Sequence, residues 1–109
     1  MKMENNKNRG AYFNERKNYV DGLTLALAAL RDFGSIEYAR TYTTEEEYIR
    51  ITDTIGGCAF LDVTALSRAE ILKDVARVML IDELEGEHFP KSIITDKDKM
   101  RQIAPLFRA

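Results

Sequence analysis

The sequence predicts an α+β fold: a three-stranded antiparallel meander with helices on one face, in the order α-β-β-β-α-α. Three observations carry that expectation. Glu47 to Asp53 alternates apolar and polar residues and is rich in β-formers, and Cys58 to Val63 does the same across a turn that holds Gly56 and Gly57. A helical run follows directly, opened by a capping motif at Ser67. Ahead of the hairpin, Ile36 to Thr43 alternates as well, which supplies a third strand.

The first helix is expected over roughly Glu15 to Phe33, because Tyr19, Val20, Leu23, Ala26, Leu27, Leu30 and Phe33 recur on one face and Gly34 stands at the end. Gly22 inside it costs about 1 kcal/mol relative to alanine. Residues 1–12 are polar, with three asparagines and a glycine, and are expected to form a disordered tail ahead of one domain spanning 13–109. In the first strand Ile36, Tyr38, Arg40 and Tyr42 share one face, and Glu37, Ala39 and Thr41 the other. Thr44 and the three glutamates after it read as a polar turn.

For the hairpin, a three-residue loop of Ile55, Gly56 and Gly57, with a glycine at positive φ, makes the apolar faces agree. It sets Ile51 opposite Leu61 and Ile49 opposite Val63. Arg50 then falls opposite Asp62 and Thr52 opposite Phe60, which gives Asp62 a positive neighbour and a structural role.

In the next helix Ser67 and Glu70 form the capping box, Ile71, Leu72, Val75, Val78 and Met79 form the apolar stripe, and Gly86 offers a stop. A short last helix is expected from Thr95, capped with Asp98 in a box-like spacing, to just before Pro105. Ser92, Ile93 and Ile94 can add a short edge strand.

The order helix, three strands, helix over roughly residues 15–85 is similar to that of double-stranded RNA-binding domains. That resemblance is one of topology. Those domains place a lysine cluster at the start of the second helix to grip phosphates. Here the turn reads Ser67-Arg68-Ala69-Glu70, with Lys73 and Asp74 after it, so the cluster is missing. The resemblance therefore implies an architecture and argues against duplex RNA as the ligand.

A chain of 109 residues buries somewhat over roughly 60% of its unfolded surface, enough for one modest core. Cys58, the single cysteine, has no partner cysteine or histidine in its strand, so the expectation is a reducing, cytoplasmic setting without zinc or redox chemistry. No apolar run is long enough to span a bilayer and no signal core follows Met1, so a soluble protein with no membrane partner is expected. Charge is uneven: residues 1–17 and 91–109 each carry five basic and two acidic side chains, and residues 18–90 six and fourteen. Basic ends on an acidic body can contact nucleic acid through Lys97, Lys99 and Arg101, although terminal lysines also serve simply to keep a tail and a short helix solvated.

A second surface depends on strand pairing. If the first strand meets the second in an even register, with Tyr42 opposite Tyr48 and Arg40 opposite Arg50, then Tyr38, Arg40, Tyr42, Tyr48, Arg50 and Phe60 share an exposed face of the kind partner proteins bind. An odd register instead turns Ile36 and Tyr38 into the core. The inventory argues against an enzyme. His88, the one histidine, lies in the loop from Gly86 to Pro90 with only Glu85 and Glu87 near it, and Asp53 and Asp62 fall on opposite faces of the hairpin. No glycine-rich loop joins a strand to a helix with a lysine, and neither the serines nor Cys58 have an identifiable base. The sequence thus predicts a small non-enzymatic domain without a cofactor or metal. It acts on another protein or on a second copy of itself as an interaction, accessory or inhibitory factor, with nucleic acid as the alternative partner.

Overall fold

The computed structural model describes residues 2–28, 34–41, 43–55, 57–79 and 90–107, with side chains in the first helix from residue 10 to 27. Helix α1 (Lys2–Ala28) leads to strands β1 (Ser35–Arg40), β2 (Glu47–Thr52) and β3 (Cys58–Asp62), then to α2 (Arg68–Met79) and α3 (Lys97–Ile103), which runs on into a 3-10 turn (Ala104–Phe107). The sheet is antiparallel in the order β1-β2-β3, so the α+β class and the meander stand.

Helix α1 begins well before Glu15, and the expected tail of residues 1–12 forms its first turns from Lys2 onward. Those turns have no apolar stripe, so periodicity alone does not separate a solvated helix from a coil. Further along, Phe13, Val20, Leu23 and Leu27 are buried at helical spacing, Tyr19 packs at their margin and Ala26 is exposed. Leu30 and Phe33 lie outside the described residues.

Of the two β1–β2 registers the odd one forms. It pairs Ile36 with Ile51, Tyr38 with Ile49 and Arg40 with Glu47. This register buries Ile36 and lets Glu37 meet Arg50 at 2.6 Å, whereas the even one would oppose Arg40 to Arg50. Gly34 leads into β1 where backbone approaches backbone. Its N–H donates to the Thr52 carbonyl at 2.7 Å, and a Cβ there would stand 2.8 Å from the carbonyl oxygens of Thr52 and Asp53.

Between β2 and β3 the pairing is shifted by two residues from the expectation. Ile49 lies opposite Leu61, Ile51 opposite Ala59 and Arg50 opposite Phe60. The cause is Asp53. Its Oδ1 accepts from the N–H groups of Ile55 and Gly57 at 2.9 and 2.8 Å, and its own N–H donates to the Gly57 carbonyl at 2.9 Å, so the loop closes between Asp53 and Gly57. A slip of two leaves every side chain on its expected face. Gly56 lies outside the described residues. Asp62 faces Tyr48 instead of Arg50, and its role is a turn: Oδ1 accepts from the Thr64 N–H at 3.0 Å and its hydroxyl at 2.6 Å.

Helix α2 opens on the expected capping box. The Glu70 N–H donates to Ser67 Oγ at 3.2 Å and the Ser67 N–H to Glu70 Oε1 at 3.0 Å. The helix buries Ile71 and Val75 against α1 and the sheet, in a cluster with Val20, Leu23, Leu27, Ile36, Ile49, Ile51, Leu61 and Val63.

The last helix ends before Pro105 as expected and differs in its cap and in the face it covers. Asp96, not Thr95, is the cap, accepting from the N–H groups of Asp98 and Lys99, and past Ala104 the chain tightens into the 3-10 turn that carries Pro105. It also lies on the other face of the sheet. Tyr48 and Phe60, which alternate with Ile49 and Leu61, form a second cluster with Ile103, so the helices cover both faces and not one. Beside β3, Ser92 to Ile94 gives a short antiparallel bridge, with Asp62 N–H donating to the Ser92 carbonyl and Ile94 N–H to the Phe60 carbonyl, each at 2.8 Å.

Candidate functional site

The most concentrated polar chemistry among the described residues is buried. Glu47 is in phase with Ile49 and Ile51 on the core face of β2, and Arg16 is in phase with Val20, Leu23 and Leu27 on α1, so the fold drives both charges inward. They are 2% and 6% exposed. Arg16 Nε donates to Glu47 Oε1 at 2.5 Å, while its two terminal nitrogens donate to the carbonyls of Leu66 at 2.5 Å and Val63 at 3.1 Å. Glu47 also accepts from the Tyr38 hydroxyl at 2.8 Å, the Tyr12 hydroxyl at 3.2 Å and the Ala65 N–H at 3.5 Å. Burial first, and then the bond to Glu47, push the Tyr38 phenol far above its ordinary range. The Tyr12 phenol moves the same way, again chiefly through burial. Both stay protonated and donate.

This node ties α1, β1 and β2 to the turn between β3 and α2. The turn itself needs holding, since Ala65 sits at φ 63°, a backbone region that costs a non-glycine residue about 1–2 kcal/mol. No buried side-chain nitrogen or oxygen among the described residues lacks a partner. What the node can do chemically is organise structure, because its donors and acceptors are committed to one another.

The six residues expected to share an exposed face are divided between two faces. Tyr38 and Arg40 lie under α1, where Tyr38 holds Glu47 and the Arg40 guanidinium sits 4.6 Å from the centre of the Phe13 ring. Tyr48, Arg50 and Phe60 lie on the opposite face beneath α3, with Tyr48 and Phe60 buried. Tyr42 lies outside the described residues. The odd register is the reason for the split.

Beneath α3 the contacts combine rings and charges. Phe60 packs against Phe107 with ring centres 5.8 Å apart, and the Arg50 guanidinium, held by Glu37 through two bonds of 2.9 and 2.6 Å, lies 5.2 Å from the Phe107 ring. Tyr48 donates its hydroxyl to Glu46, and Lys99 reaches both, 3.4 Å from Glu46 Oε1 and 5.3 Å from the Tyr48 ring centre. The hydroxyls of Tyr48 and Thr44 hold the Glu46 carboxyl below its ordinary range, burial raises the Tyr48 phenol, and Tyr48 raises the Lys99 ammonium.

Of the three cations expected to meet nucleic acid, Lys97 is exposed, Lys99 is engaged by Glu46, and Arg101 pairs with Asp98 at 2.5 Å. At the start of α2, Arg68 pairs with Glu15 and lies 5.6 Å from the Tyr19 ring. Asp53 and Asp62 stand at opposite ends of β3, each closing a turn. Cys58 is exposed. His88, Glu85 and Glu87 lie outside the described residues. No group of three or more histidine, cysteine, aspartate or glutamate side chains among the described residues is placed to hold a metal ion, and no helix among them is long and apolar enough to cross a membrane. No family model, curated protein or solved structure matches the chain.

Proposed function

We propose that this chain works by contact with another protein, in its simplest form a second copy of itself, and not by catalysis. The observation that carries the reading is the outer edge of β1. The Thr41 N–H donates to the Glu46 carbonyl at 2.9 Å, so the pairs spaced two residues along, Ala39 with Tyr48 and Glu37 with Arg50, belong to the hydrogen-bonded class. The peptide groups of Ile36 and Tyr38 accordingly point away from β2. The Thr24 hydroxyl meets one of them, the Ile36 carbonyl, at 3.2 Å. The opposite edge of the sheet carries the 92–94 segment, whereas β1 has no strand beyond it among the described residues.

A row of outward donors and acceptors is a template for a further strand. Two antiparallel copies of β1 related by a two-fold axis satisfy each other with the same groups. A small chain also gains core area in this way. A reducing, cytoplasmic compartment goes with the reading, since the one cysteine is exposed and unpaired with another. Nucleic acid has less support, because Lys99 and Arg101 already face carboxylates.

Sedimentation velocity across a wide concentration range, combined with amide hydrogen exchange, tests the proposal. The expected result is a reversible dimer in which the Ile36 and Tyr38 amides gain protection as concentration rises while the Glu37 and Ala39 amides, already in the ladder, do not. A chain that stays monomeric throughout, or a dimer that leaves Ile36 and Tyr38 unprotected, removes edge pairing.

A further inference from the structure

We infer that the sheet face beneath α3 is a docking groove for an amphipathic helix, filled in cis by residues 97–107 and able to accept an equivalent helix from a partner protein in their place. The inference concerns a different surface and a different partner from the edge of β1.

The occupant's chemistry is written in the segment that fills the groove. Ile103 clusters with Tyr48 and Phe60, and Met100, together with Ala104 and Phe107 of the 3-10 turn, packs against that cluster; their sequence spacing of i, i+3, i+4 and i+7 matches the anchors of a helix laid in a groove. One position before the first anchor, Lys99 meets Glu46 and the Tyr48 ring, while Arg50 waits beside the last anchor, Phe107. The groove therefore asks for a helix with a cation at its start and an aromatic side chain two turns later. Tyrosine and arginine, here Tyr48 and Arg50, are side chains on which binding energy concentrates, and phenylalanine is enriched at interfaces.

Retention in cis is slight by comparison with the rest of the fold. Ile103 is the one buried side chain of α3 and its 3-10 turn, whereas the opposite face holds α1 and α2 through a cluster of ten buried residues that includes nothing from α3. A helix of seven residues does not persist in water without a surface to lie on. Release of the segment would uncover Tyr48 and Phe60, and a partner helix with the same anchors restores that cover. The tethered copy competes at high effective concentration, so it acts as a built-in inhibitor of the site.

The test uses the full chain and a fluorescent peptide of residues 95–109 as the probe, read by anisotropy. Ile103→Asp unseats the cis helix, and the variant should bind the peptide roughly tenfold or more tightly than the unaltered chain does, because its own segment no longer competes. Adding Glu46→Lys to that variant should weaken the peptide again, through repulsion of its Lys99. Equal affinity for the two chains overturns the proposal. So does an absence of binding by an Ile103→Asp chain whose β2 and α2 amides remain protected. If Ile103→Asp abolishes cooperative folding, the milder Met100→Ala/Phe107→Ala chain takes its place. Loss of folding there too would make α3 an integral part of the core and end the argument. A dimer of the unaltered chain that Ile103→Asp abolishes would assign the groove to a second copy instead of a partner, which also overturns it; a dimer that survives Ile103→Asp leaves edge pairing at β1 standing on its own.

Discussion

Arg16 and Glu47 show what a buried charge demands. Each is held by the other and by several neutral groups, so removing one partner strands the remaining charge away from water. Glu47→Ala and Arg16→Ala should each cost about 3–5 kcal/mol, measured by denaturant unfolding. The double replacement Arg16→Met/Glu47→Leu should cost less than the sum of the two, because no unpaired charge is left. Single losses below about 1 kcal/mol would show that the pair is solvated, as surface pairs are. The pair was legible in the sequence by phase and illegible by composition. Glu45-Glu46-Glu47 reads as a polar turn, yet Glu47, the glutamate that adjoins the strand, is in step with Ile49 and Ile51, and on α1 Arg16 is in step with Val20, Leu23 and Leu27. A charge inside an apolar stripe is the signal, and it names the need for a partner without naming the partner, which lies 31 positions away.

Among the elements, those specified by adjacent residues are the ones the sequence places best. The capping box of α2 needs only Ser67 and Glu70, and both of its bonds form. Ser67→Ala should lower stability by about 1 kcal/mol, and adding Glu70→Ala should take away less than it does alone, since the two groups satisfy one another's amides. Thermal unfolding of the two single variants and the double checks this, and strict additivity would mean that the reciprocal bonds contribute nothing. Where a side chain competes with the backbone, prediction slips. Asp53 accepts from two amides of its own loop and moves the hairpin register by two residues relative to a loop placed by glycines alone. The same substitution of an Asp side chain for an expected partner moves the start of α3 from Thr95 to Asp96. The side of the sheet that α3 covers is not a local property. Its apolar stripe requires cover, but the choice of face follows from the aromatic pair Tyr48 and Phe60, whose exposure in a helix-free sheet is what the sequence alone suggests.

At the scale of the molecule, the sheet separates two layers of unequal strength, and acid should loosen the weaker one first. On the α3 side the Glu46 carboxyl sits below its ordinary range, held chiefly by the Tyr48 hydroxyl, then by Thr44, with Lys99 beside it. A carboxyl whose folded value is depressed contributes fully above its unfolded value of about 4.3, and that contribution disappears as pH falls through the folded value. Protonation also removes the charge that Lys99 faces across 3.4 Å. Glu70 is depressed in the same direction by its bonds to Ser67, so acid weakens the carboxylate half of the α2 capping box as well, while the Ser67 hydroxyl still accepts from the Glu70 N–H. The ten apolar side chains clustered between α1, α2 and the sheet carry no charge to lose, and the buried carboxylate beside them, Glu47, is held by Arg16, Tyr38 and Tyr12 together. Amide exchange compared near pH 7 and below about pH 4 should therefore show residues 97–107 and the start of α2 losing protection while Ile49, Ile51 and Leu61 keep theirs. Simultaneous loss in α3 and in β2 at one pH would make the molecule a single cooperative unit, with the two layers unable to part. Sequential loss would show that the C-terminal helix opens as a unit of its own, which is the property a displaceable cover over Tyr48 and Phe60 requires.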